Sequence, residues 1–279
     1  MIHHLRITTL VENTVSQPGL LAEHGLAFWI EADGLKLLFD TGQGMALVHN
    51  AEALGIDLGA VDNVAISHGH FDHTGGLAAH PDLMPRATVF VHPDAFLTRY
   101  TKRDHQPARS IGWAYHRVDD LIPNVQAVVL TPVPTLVAEG IWLTGQIPRT
   151  NQFEDTGGRF SLDEAGTMPD PIHDDQALYI ETRRGLVVLM GCGHAGLVNT
   201  LDHIGQITGR TRVHAVIGGM HLLEASEHRI AKTITVLQDF NVQVVAPVHC
   251  TGLPATAALM ESWPDGFYWL TTGSSLTIH

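Results

Sequence analysis

The sequence predicts an α/β protein. Three observations carry that reading. Short apolar strands alternate with helical segments, the alternation returns in the second half, and metal-ligand residues cluster where strands end. The 279 residues are enough to bury a sizeable core, and 44% hydrophobic with 16% charged residues argues against disorder.

Taken in order, residues 26–41 read as a hairpin. Ala27-Phe28-Trp29-Ile30 leads through the turn signal Ala32-Asp33-Gly34 into Leu35-Lys36-Leu37-Leu38-Phe39. That strand ends at Asp40-Thr41-Gly42, and a short helix follows through Met45 to Leu54. Val61 to Ser67 is another strand, ending at a histidine run. Ala87 to His92 and Gln126 to Leu130 are strands, and residues 99–117 between them read as an inserted loop or lid. Residues 145–174, rich in Gly, Pro, Asp and Thr, read as a long ordered loop. Leu178 to Glu181 and Leu186 to Met190 pair about Arg184-Gly185. Gly196 to Gly205 is helical, Val213 to Ile217 a strand, Ala225 to Phe240 a helix and Val242 to Ala246 a strand. The expected organisation is one domain over residues 1–279, with a lid insertion at about 99–120.

Charge narrows the partners. Sixteen basic residues against 29 acidic ones give −13, which repels phosphate backbones and disfavours nucleic acid. The apolar stretch Val128 to Ala138 is cut by Pro132 and Pro134, far short of the roughly 20 residues that span a bilayer. Met1 to Arg6 opens no apolar leader, and the two cysteines, Cys192 and Cys250, give no disulfide framework. The expected location is the cytoplasm, with no membrane partner. Nothing in the sequence sets an oligomeric state.

The abnormal count is 19 histidines, and their grouping matters more than their number. His68, His70, Asp72 and His73 fall within six residues, directly after a strand. Residues i and i+2 of an extended segment point the same way, so His68 and His70 can hold one ion together. Asp72 and His73 come after the chain begins to turn and can face a second ion, and Thr74-Gly75-Gly76 lets the chain turn into a helix. Imidazole and carboxylate suit zinc foremost, or iron or manganese. Three further histidines, His194, His221 and His249, each follow an apolar strand, where sites of α/β folds usually lie. His194 and His249 read as ligands. His221 reads as ligand, substrate contact or buried structural histidine. His92 ends Val89-Phe90-Val91 and is either a site residue or a core-edge one. Asp40 either accepts a hydrogen bond from a ligand histidine, fixing its tautomer, or caps a turn.

Leu38-Phe39-Asp40-Thr41-Gly42 and Ser67-His68-Gly69-His70-Phe71-Asp72-His73-Thr74-Gly75-Gly76 resemble the first two motifs of the metallo-β-lactamase superfamily. The later motifs are Thr144-Gly145-Gln146-Ile147-Pro148-Arg149, Gly191-Cys192-Gly193-His194-Ala195-Gly196, Gly218-Gly219-Met220-His221-Leu222 and Pro247-Val248-His249-Cys250-Thr251-Gly252. They make the chain similar to the branch named for a dihydropteroate-synthase-like enzyme of methanopterin biosynthesis, many of whose members are described only as metal-dependent hydrolases. The resemblance implies a four-layer αβ/βα sandwich with two divalent ions at one edge. It implies His68, His70 and His194 on one ion and Asp72, His73 and His249 on the other. Hydrolytic relatives carry a bridging aspartate where this chain has Gly191-Cys192, so Cys192 is expected beside the metals.

The leading functional expectation is hydrolysis of a small anionic ester or phosphate by a metal-bound hydroxide. Asp72 would orient it, and a neutral His221 would protonate the leaving group. The alternative is transfer, in which a pterin diphosphate condenses with a ribofuranosyl-aminobenzene phosphate. A third reading is a non-catalytic, metal-stabilised binding protein. The basic segment 99–117 reads either as a solvated surface loop or as a source of substrate contacts; the contacts expected are Arg103, Arg109 and Trp113 there, with Arg149 and His92. Arg99, Lys102 and Arg117 add local positive charge, and Tyr100 and Tyr115 add aromatic rings.

Overall fold

Alternation of apolar side chains gives each long strand two faces, and both are buried. The computed structural model describes residues 1–102 and 106–279. Its strands and helices follow one another as β1 (Leu5–Val11), β2 (Ala27–Ala32), β3 (Leu35–Phe39), α1 (Leu47–Ala53), β4 (Asn63–Ala65), α2 (Phe71–Ala79) and β5 (Thr88–Val91). Then come β6 (Tyr100–Thr101), β7 (Arg109–Ser110), α3 (Val118–Leu121), β8 (Ala127–Leu130), β9 (Thr135–Ala138), β10 (Ile141–Leu143) and β11 (Phe160–Ser161). The rest is β12 (Ala177–Thr182), β13 (Gly185–Met190), α4 (Leu197–Thr208), β14 (Val213–Gly218), α5 (Glu227–Asp239), β15 (Val244–Pro247), α6 (Leu253–Ser262) and β16 (Ser275–Ile278).

A seven-stranded sheet has the order β16-β1-β2-β3-β4-β5-β8, and a six-stranded sheet the order β15-β14-β13-β12-β10-β9. Phe28, Ile30, Leu37 and Phe39 of the first meet Leu178, Ile180, Val187 and Leu189 of the second in the core between them. The alternate residues face outward. Trp29 and Leu38 pack with Leu47 and Leu77 of α1 and α2. Tyr179 and Val188 pack with Leu201, Leu237 and Leu259 of α4, α5 and α6. The result is the four-layer αβ/βα sandwich. Each fully buried Leu, Ile or Phe contributes about 1.5–3 kcal/mol to it.

Sheet direction positions the site. β3, β4 and β5 run parallel, as do β13, β14 and β15, so their C-terminal ends lie on one edge. Asp40, the histidine run, His194, His221 and His249 all follow those ends.

Several local expectations change. Helix α2 begins inside the histidine run, at Phe71, so Gly75 and Gly76 lie within it and do not turn the chain. Their use is close packing: a Cβ on Gly76 would overlap Thr41 O and come within 2.8 Å of the Leu47 side chain. In the described part of segment 99–117, β6 and β7 join β11 in a three-stranded sheet, which ties the segment to the 145–174 loop. That loop is fastened in turn by Glu154, whose carboxylate accepts from Val198 N and Asn199 N at the start of α4. The sequence reading passed over β1, β9, β10, α6 and β16. In β1 the polar Thr8 and Thr9 are buried with their apolar neighbours, which hides the alternation. No helix among the described residues is long and apolar enough to cross a membrane.

Candidate metal centre

The strand ends bring six sequence-predicted ligands to one floor. His68, His70 and His194 ring centroids lie 4.5–4.9 Å apart, and His73 approaches His249 with Nε2 atoms 3.3 Å apart. Asp72 Oδ2 sits 3.6 Å from His249 Nε2 and 4.0 Å from His73 Nε2. Cys192 Sγ is 3.1 Å from His73 Nε2.

Partners on the outer nitrogens decide which way the lone pairs face. Thr156 O can only accept, so the 2.7 Å contact makes His194 Nδ1 the donor. Ser67 Oγ donates to Asp40 Oδ2 at 2.7 Å and therefore accepts from His68 Nδ1 at 2.9 Å. Asn13 Oδ1 accepts from Gly25 N, which fixes the amide, and so accepts from His249 Nδ1 at 2.9 Å. Each ring is left with an Nε2 lone pair on the floor side, and that of His68 accepts from His70 Nδ1 at 3.0 Å, which turns His70 Nε2 to the floor as well. His70 Nε2 and His194 Nε2 are buried with no hydrogen-bond partner among the described residues. Buried, unpaired nitrogen lone pairs that converge are costly unless a cation takes them, so the donor set fits divalent metal.

Electrostatics agree. Burial holds His68, His70, His194 and His249 well below the ordinary histidine value, so these rings are neutral and ligand-competent. Burial also opposes charge on His73, but Asp40 and Asp72 outweigh it and raise the ring to about 9. The carboxylates thus keep positive charge at the floor. Asp40 accepts from His73 Nδ1 at 2.6 Å and from Ser67 N at 2.7 Å, with its own backbone held at φ +60°. Burial pushes the Cys192 thiol well above its ordinary range.

The floor opens into a cleft of about 900 Å³ whose wall includes Lys102, Arg109, Arg159, Phe160 and Glu224. Arg109 lies 5.3 Å above the Phe71 ring. His221 lines the same cleft with its ring centroid 4.4 Å from that of His194, and burial draws it down to about 4.

Other sequence-predicted contacts sit elsewhere. Trp113 is 2% exposed and stacks on Phe96, 5.1 Å between centroids, so it serves the core and not the cleft. An aromatic ring among basic residues reads as a platform until its burial is known. His92 is buried, its Nδ1 accepting from Asp94 N, and it does not line the cleft. Arg149 donates to Pro171 O, fastening the long loop. Arg103 lies outside the described residues. Arg99 is fully buried, paired with Asp170 at 2.7 Å and with both oxygens of Asp174. Asp174 also accepts from Gly69 N, between the two histidines of the run, so the ion pair braces that motif.

Sequence reasoning missed four contributors. His24 Nε2 lies 3.3 Å from Asp72 Oδ2 at the cleft mouth. Asn13 and Glu12 hold His249 from 236 and 237 residues away, Glu12 accepting from His249 N at 2.8 Å. Asp175, raised to about 7 by burial, accepts from Ala195 N beside His194. The one signal available was Glu23-His24-Gly25 immediately before the first hairpin.

The metallo-beta-lactamase superfamily profile matches residues 21–192. A 7,8-dihydropterin-6-methyl-4-(β-D-ribofuranosyl)-aminobenzene-5′-phosphate synthase from Methanocaldococcus jannaschii is 30% identical, over 98% of this chain and 96% of that protein. Among solved structures, Tm1679, described as a metal-dependent hydrolase of the β-lactamase superfamily, superposes with a TM-score of 0.82 at 30% identity, covering 98% of both chains. Zn²⁺-bound PqqB from Methylobacterium extorquens shares the fold at 13% identity and a TM-score of 0.59, over 97% of this chain and 99% of that one.

Proposed function

The chain belongs to the metallo-β-lactamase superfamily, and from that premise we propose that it is a metal-dependent hydrolase of a small anion carrying a phosphate or ester. One observation carries the reading: on a protein of net charge −13, Lys102, Arg109 and Arg159 line the same cleft as the converging imidazoles. We assign His68, His70 and His194 to one divalent ion and Asp72, His73 and His249 to the other, with zinc foremost. When bound, such ions draw down the pKa of a water and polarise the bond to be broken.

The chain's own residues do the rest. Arg109 and Lys102 bind the anion and turn it toward the floor. Asp72 orients the attacking water and takes its proton, and His24, exposed and 3.3 Å away, passes that proton to solvent. His221, held near 4, is a neutral ring that donates a hydrogen bond to the leaving oxygen, a weaker role than the full proton transfer expected from sequence. Phe160, 5.2 Å from the His70 and His194 rings, keeps bulk water off the floor.

Group transfer is the second reading, supported by the 30% identity to a synthase whose name joins a dihydropterin to a phosphorylated aminobenzene riboside. One experiment separates the two. Zinc- and manganese-loaded protein is assayed on phosphodiester, lactone and thioester substrates, then on a dihydropterin diphosphate with and without an arylamine phosphate. Metal-dependent release from a single substrate supports hydrolysis. Turnover only when both pterin and arylamine are present replaces it with transfer. No turnover in any arm at full metal loading counts against both.

A further inference from the structure

We propose that Cys250, Cys192 and His221 form a thiolate-bearing cation position on the cleft wall, suited to a thiophilic divalent ion such as zinc. It goes beyond the histidine floor, which uses neither Cys250 nor His221 as a ligand. The three residues come from three loops, after β15, β13 and β14, and their ligand atoms all lie within 4.8 Å of one another. Zinc–sulfur and zinc–nitrogen bonds of about 2.3 and 2.0 Å put the ligands of one tetrahedral ion about 3.5–4 Å apart, so small side-chain movements close the set.

Two more observations point the same way. A Cβ on Gly219 would lie 2.7 Å from Cys250 Sγ and 3.2 Å from Cys192 Cα, so the missing side chain is what lets the two cysteine loops meet. His221 and His249, which precedes Cys250, are both held at positive φ, +45° and +54°. Non-glycine residues keep that conformation only where surrounding structure enforces it, and such strain gathers at ligand sites. All three side chains reach the cleft, so an ion can enter. Cys250 Sγ makes a weak hydrogen bond to Cys192 O at 3.3 Å.

Two thiols and an imidazole select zinc-like ions over magnesium or calcium, which want oxygen. Binding releases two thiol protons to solvent as the thiolates form. Cys192 also belongs to the His68–His194 and His73–His249 ligand groups, so this position is contiguous with the floor.

The test titrates Co²⁺ alone into the reduced, chelator-stripped full chain and records its absorption. The expected result is a near-ultraviolet sulfur-to-cobalt charge-transfer band that Cys250→Ser lowers by about half, as one of two thiolates is lost. His221→Ala should move its midpoint to about tenfold higher Co²⁺. A band unchanged by Cys250→Ser would overturn the proposal. Should that variant not fold, the wild-type chain decides: saturating Zn²⁺ is expected to slow alkylation of Cys250 by iodoacetamide at least tenfold, and an unchanged rate would overturn the proposal equally. Failure of the histidine floor looks different. It would lower Co²⁺ uptake to about one equivalent per chain while zinc still shielded Cys250, whereas failure of this inference leaves the histidine-bound equivalents and exposes Cys250.

Discussion

The floor of the cleft sits on strand ends, whereas its cationic wall hangs on loops. His194 and His249 each have an outer nitrogen tied by a group from another segment, His68 is tied by the adjoining Ser67, itself bonded to Asp40, and His73 is tied by Asp40. Arg109 belongs to a small sheet of two-residue strands and Lys102 directly follows one of them, and Arg109 makes its ring contact at the surface. Under the proposed function, chemistry that needs sub-ångström placement falls to the rigid edge, and substrate choice to elements that can change without disturbing it.

Breaking the floor should have the largest effect. Asp72→Ala is expected to lower turnover about 10³-fold while leaving the thermal melt of the fold intact. Retained turnover with unchanged metal content would contradict the role given to Asp72.

Acid should break the floor next. His221 is drawn from 6.5 to about 4, and His68, His70, His194 and His249 lie well below 6.5. The unfolded chain therefore binds more protons than the folded one below 6.5, so stability is full above that pH and falls as pH drops through the window. Asp175, shifted from 3.8 to about 7, works the other way, losing its contribution as pH rises toward 7. His73, raised to about 9, acts above the window. One carboxyl against five rings leaves a net loss on acidification. Thermal melts of chelator-treated protein across pH 6.5 to 4 measure it, and a flat or rising stability would contradict the neutral floor.

The brace between the two regions comes third. Arg99→Met leaves Asp170 and Asp174 buried without their guanidinium, which should cost about 3–5 kcal/mol in urea unfolding. A change below about 1 kcal/mol would mean that the pair is replaceable. Touching the wall alone should have the smallest effect. Arg109→Ala is expected to raise KM for the anionic substrate about tenfold, a loss of about 1.4 kcal/mol, with kcat and metal content unchanged. A fall in metal content would merge the wall with the floor.

Legibility in the sequence follows the same division. His68-Gly69-His70-Phe71-Asp72-His73 was readable because one strand end and its first helical turn carry four ligands at a fixed spacing. His194 and His249 were readable because each ends a continuous apolar run. Asn13 and Glu12 were not, since they meet His249 only through closure of the whole sandwich. Trp113 and Arg99 were misread for the opposite reason. Their residue types suit ligand binding, and only packing reveals that one stacks on Phe96 and the other neutralises two buried aspartates.

The central claim is that converging imidazole lone pairs exist to hold metal. Elemental analysis of gently purified wild-type protein beside His194→Ala and His249→Ala tests it most directly. The account predicts about two or more divalent equivalents per chain in the wild type, with at least one lost in each variant. A wild-type chain without metal that takes up none on reconstitution would contradict it.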